Sequence, residues 1–70
     1  MMKVKKIVKR CLPQTHIAIF DEFGGFKNFN YKAEIPASIQ EMKVIQVSVE
    51  QFDYRYMPSL VIVVKGIIKG

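Results

Sequence analysis

Few side chains in this sequence have the type and spacing that covalent chemistry needs. Cys11 and His16 are its single cysteine and single histidine, and a thiol beside an imidazole is the smallest nucleophile–base pair. Cys11, however, falls on an apolar helical stripe and His16 opens a strand, so both read as structural. Asp21, Glu22 and Asp53 would hold a divalent cation if their two loops met at one end of a sheet. Acids in turns are more often solvated turn formers, which is the reading adopted for these three. One cysteine and one histidine fall short of the four ligands of a structural zinc site. The sequence carries no phosphate loop, zinc-protease helix, nucleophile elbow or paired redox cysteines. It therefore reads as a binding protein and not an enzyme, with no cofactor and no metal.

Two groups of residues are suited to binding. Lys5, Lys6, Lys9 and Arg10 cluster on one arc of a predicted helix, where they would meet an anionic surface or face solvent. Tyr54, Arg55 and Tyr56, together with Phe52, place aromatic rings around a guanidinium. Such a set serves either as an anchor in a protein interface or as a stacking platform for unpaired bases. Its structural alternative is the extension of a small core by bulky rings.

The elements that position these groups follow from periodicity. Val4, Ile7, Val8, Cys11 and Leu12 share one helical stripe opposite the basic arc, and Pro13 predicts a stop near Arg10 or Cys11. Thr15–Phe20 alternates as a strand, Asp21–Gly25 turns, and Phe26–Ile35 returns as a second strand. Pro36–Glu41 predicts a helical turn with Ile35, Ile39 and Met42 facing inward. Lys43–Gln51 alternates strongly, with Ile45, Val47 and Val49 expected inward. Leu60–Val64 is apolar on both faces, as a central strand would be, and Gly66 marks the end of pairing before an apolar tail. The expected fold is a single small α+β domain over residues 1–70. A short N-terminal amphipathic helix packs on one four-stranded, mostly antiparallel sheet built from two hairpins. One helix cannot cover both faces of such a sheet. Phe20, Val61, Val63 and the Ile67–Ile68 tail are therefore expected to leave an apolar patch that favours a homodimer.

Composition narrows the partner. The chain has 70 residues and a formal net charge of +5. Five of its 11 basic residues, Lys3, Lys5, Lys6, Lys9 and Arg10, fall in the first ten positions. The other six balance its six acids, so attraction to a polyanion must arise mainly from the N-terminal segment. A chain this small buries only roughly 60% of its unfolded surface, which again favours self-association. A lone free cysteine suits a reducing, cytoplasmic setting. The first twelve residues are too interrupted by charge to form the apolar region of a signal peptide, and are read as mature protein. No apolar run approaches the length of a membrane span.

The stretch Thr15–Gly24 (THIAIFDEFG), with Tyr31–Pro36 (YKAEIP), Val44–Val49 (VIQVSV) and Leu60–Val64 (LVIVV), resembles short phage and prophage proteins of Gram-positive bacteria. That group has no established activity to transfer. The resemblance implies a mobile-element origin, and small proteins of that origin often regulate or inhibit host defence in the manner of anti-CRISPR factors. The departures are the strongly basic helix, the Tyr/Arg connection and the apolar tail. The expectation is a non-catalytic accessory factor that binds a host protein through Lys5, Lys6, Lys9, Arg10, Tyr54, Arg55 and Tyr56. The alternative is a nucleic-acid-binding module built on the basic helix and the aromatic connection. The neutral body of the domain, and the lack of RNA-binding aromatic motifs, favour the protein partner.

Overall fold

The computed structural model describes residues 2–50 and 59–68. Along the chain run α1 (Val4–Val8), β1 (Ile17–Asp21), β2 (Phe26–Phe29), a 3-10 turn (Lys32–Glu34), α2 (Ala37–Gln40), β3 (Val44–Glu50) and β4 (Ser59–Val64). The strands form one sheet in the order β2-β1-β4-β3. Consecutive strands pair antiparallel, β1 with β2 and β3 with β4. The two central strands run parallel, with Ile17 beside Leu60 and Ile19 beside Ile62. The fold is α+β on a four-stranded sheet as expected, but the sheet is mixed, not mostly antiparallel. The reason lies in burial. Joining the pairs through β1 and β4 puts the two most apolar strands at the centre, where neighbours shield them on both sides.

The core lies between one sheet face and the two short helices. Ile17, Ile19, Ile62, Val64 and Phe29 from the sheet meet Val4, Val8, Ile35 and Ile39, with Met42 and Ile68 packed against them. Pro36 precedes α2, with Ile35 and Ile39 turned inward as their spacing predicted. Ile62 is fully buried, so Ile62→Ala should cost about 2–5 kcal/mol in urea unfolding. Val49→Ala, at an exposed edge position, should stay within about 0.5 kcal/mol of wild type. Similar losses at both sites would place the core wrongly.

Several expected boundaries move. The helix is five residues long. Past Lys9 its hydrogen bonds tighten from i−4 to i−3, with Arg10 bonding to Ile7 and Cys11 to Val8. Leu12, expected on the buried stripe, is exposed because the chain has left the helix. No acid and no capping side chain supports the N-terminus. The segment is held by packing and by antiparallel bonds between Val4 N and Met42 O (3.0 Å) and between Val44 N and Met2 O (2.8 Å). The second strand stops at Phe29. There the Glu34 carboxylate accepts the N–H groups of Asn30 and Tyr31 (3.0 and 2.8 Å), which favours a turn over further pairing.

Ile45, Val47 and Val49, expected in the core, are 47%, 44% and 70% exposed. The register shifts between Val44 and Gln46, and β3 is the outer strand. Val47 and Val49 sit opposite Ile62 and Leu60, hence on the helix-covered face, but outside the reach of a five-residue helix. On the opposite face the expected patch is smaller than the sequence implied. Val61 is buried, Phe20 and Val63 are half-buried, and the Phe20 ring packs on Phe26 with centroids 4.7 Å apart. Of the tail, Ile67 is exposed and Ile68 is half-buried against the core.

Candidate functional site

The basic arc divides on inspection. Lys5 Nζ lies 2.9 Å from Glu41 Oε1, and Lys3 Nζ lies 2.7 Å from Glu41 Oε2. Hydrogen bonds from Lys3 and then Lys5, with the charges of both, pull the Glu41 carboxyl down to about 2. Lys5 is therefore part of a clamp between α1 and the turn after α2. Lys6, Lys9 and Arg10 are exposed, and no acid among the described residues lies within ion-pair distance of them. Lys6 lies in the last turn of α1 and Lys9 at its C-cap, where cations complement the helix dipole.

These side chains form a crest between two open clefts. On the α2 side, a cleft of about 540 Å³ is lined by Lys5, Lys6, Val8, Lys9, Lys32 and Gln40. On the sheet side, a cleft of about 700 Å³ is lined by Met2, Lys6, Ile7, Lys9, Arg10, Cys11 and Leu60. Lys6 and Lys9 border both. The second cleft joins an apolar floor to a cationic rim, and Val49 lies across from Leu60 in the register. Lys32 donates to the Cys11 carbonyl (2.8 Å) and so fixes the chain where it leaves the helix.

Tyr54, Arg55 and Tyr56 lie outside the described residues, as do Phe52 and Asp53. The described strand ends that flank them are Glu50 and Ser59, which face each other in the register. They stand at the end of the sheet where Leu60 meets Arg10 and Cys11 at one cleft.

Residues weighed for catalysis are occupied elsewhere. The Cys11 thiol donates to the Ile7 carbonyl (3.4 Å), and the His16 ring is hydrogen-bonded to the hydroxyl of Ser59. Ser59 is 3% exposed, and this pair ties the residue before β1 to the start of β4. Asp21 is buried and satisfied by backbone. Its Oδ1 accepts from Phe23 N (2.8 Å) and Gly25 N (2.7 Å), and its Oδ2 accepts from Ile68 N (2.9 Å). Glu22 Oε2 accepts from Gly66 N (3.2 Å). Asp21 and Glu22 thus clasp the C-terminal segment, and no metal-holding group of three acids, histidines or cysteines occurs among the described residues. The Asp–x–x–Gly turn was legible in the sequence, but its long-range acceptor role was not. No helix among the described residues is long and apolar enough to cross a membrane. Comparison with known protein families, with curated proteins and with solved structures finds no match to this chain.

Proposed function

We propose that this chain is a non-catalytic accessory factor that binds an acidic protein surface through the crest of α1 and the cleft beside it. One observation carries the reading: Lys6, Lys9 and Arg10 have no acidic partner among the described residues while bordering an apolar floor of Met2, Ile7 and Leu60. An interface needs an apolar centre and a polar rim, whereas a nucleic-acid groove needs cations and stacking rings with little aliphatic floor. Tyr54, Arg55 and Tyr56 are proposed as a second contact, on their composition and on the position of the strand ends that flank them. The resemblance to phage proteins makes a host-defence complex the first partner class to examine.

The alternative, a nucleic-acid-binding module, draws support from the lysine-lined cleft on the α2 side. Gel-shift titration against single- and double-stranded DNA and RNA at two salt concentrations separates the two readings. The protein reading expects no shift, or a weak one lost at physiological salt. A tight shift whose affinity falls steeply with salt would replace it with the nucleic-acid reading.

A further inference from the structure

The outer edge of β3 carries a row of backbone groups whose direction the pairing settles. Leu60 N–H donates to the carbonyl of His16, the residue before β1 (2.9 Å), so Leu60, Ile62 and Val64 direct their backbone groups toward β1. Ser59, Val61 and Val63 then face β3, where they stand opposite Glu50, Ser48 and Gln46. In an antiparallel ladder these three bond inward, leaving the N–H and C=O of Val47 and Val49 pointing outward. At its start the same edge is occupied, because Val44 N donates to Met2 O and Lys3 bridges Lys43. Among the described residues no strand pairs with this edge beyond Val44.

Outer strands are ordinarily protected by lysines, prolines or bulges along their exposed length. Here the bulge lies at the already occupied end, and the segment Ile45–Glu50 (IQVSVE) has neither lysine nor proline. Its pattern is also self-complementary. In an antiparallel pair centred on Val47, Val47 meets Val47 of the second copy, Ile45 meets Val49, and Gln46 meets Ser48. A shift of one residue would set Val47 against Gln46 or Ser48. A shift of two toward Lys43 would collide with Met2–Val4. In the centred register pairing runs from Ile45 to Val49 and stops short of Val44, whose N–H is already held by Met2 O.

We infer that the free edge of β3 is the dimerisation site of this protein. Two copies join their sheets through antiparallel β3–β3 pairing about a two-fold axis at Val47, giving one continuous eight-stranded sheet. This inference rests on the sheet edge and stands independently of the partner proposed for α1.

Sedimentation over a concentration series tests it. Wild type should be a dimer at micromolar concentration. Val47→Lys should be a monomer with unchanged circular dichroism, because the side chain is half exposed in a single copy. Two lysines opposed at the axis should weaken association by about 100-fold or more. In a Cys11→Ala background, Val47→Cys should form a disulfide-linked dimer on mild oxidation, since directly opposed residues stand about 5.5 Å apart. Val49→Cys should not, as its two copies would be separated by about 14 Å along the strands. A monomer at every concentration, a dimer indifferent to Val47→Lys, or cross-linking at Val49 and not Val47 would each overturn the inference.

Discussion

Reversing two charges, Lys6→Glu with Lys9→Glu, should weaken binding to the protein partner by about 100-fold while leaving the fold intact. Both side chains are exposed and lack an acidic neighbour among the described residues, so the folding cost should stay below about 1 kcal/mol per site. Their effect on binding is larger because each carboxylate would then oppose acids on the partner in a partly desolvated interface. Lys5→Glu provides the contrast. It breaks the pairing with Glu41 and sets two acids together, so its main effect should fall on stability at low salt. Surface plasmon resonance against the isolated partner, with thermal unfolding of each variant, separates the two outcomes. Equal binding losses from Lys5→Glu and from the double change would mean that the clamp, and not the crest, meets the partner.

Asp21→Asn should be the most destabilising conservative change at any described polar residue. The buried carboxylate accepts three backbone N–H groups, and an amide cannot offer its nitrogen to Ile68 or to the turn as an acceptor. The bond from Ile68, foremost, and those from Gly25 and Phe23 hold the Asp21 carboxyl below its usual value of 3.8 despite the opposing effect of burial. Lowering the folded-state value makes the stabilisation complete above the unfolded value and removes it as pH falls through the folded one. Wild type should therefore lose stability below about pH 4, and Asp21→Asn should be flatter in that range. Glu41 titrates in the same region, from 4.5 down to about 2, but it is exposed, and salt should suppress its part. Urea midpoints measured against pH at two salt concentrations resolve the two acids. Gly25→Ala should mimic the loss at Asp21, because a Cβ there would collide with the Asp21 carboxylate. An Asp21→Asn midpoint close to wild type would show that the clasp does not hold the C-terminal segment.

How far the sequence could be read depended on whether a feature is local. The doubly apolar run of β4 identified a central strand, and it is buried as such. The Pro36 turn, the Asp21–Gly25 turn and the stripe of Val4 and Val8 were equally legible, since each is set by neighbours within a few residues. The parallel contact of β1 with β4 was not, because alternation marks faces and carries no information on which strands touch. For the same reason β3 was recognised as a strand but assigned the wrong surroundings. Val47 and Val49 face the helix-covered side but lie at the edge, beyond the reach of α1. At the candidate site, Lys6, Lys9 and Arg10 stand as the periodicity placed them. The diversion of Lys5 to Glu41 could not be foreseen, because residues 36 apart met only through the fold.

The crest of α1 is proposed to engage an acidic protein surface. The most direct test is affinity capture of the tagged chain from the cells that encode it, with wild type and Lys6→Glu/Lys9→Glu in parallel, followed by reconstitution from purified components. Wild type should retain one protein with an acidic surface in stoichiometric amount and bind it again when purified, and the doubly reversed variant should lose it. Recovery of nucleic acid in place of a protein, or a purified partner bound equally by both forms, would contradict it.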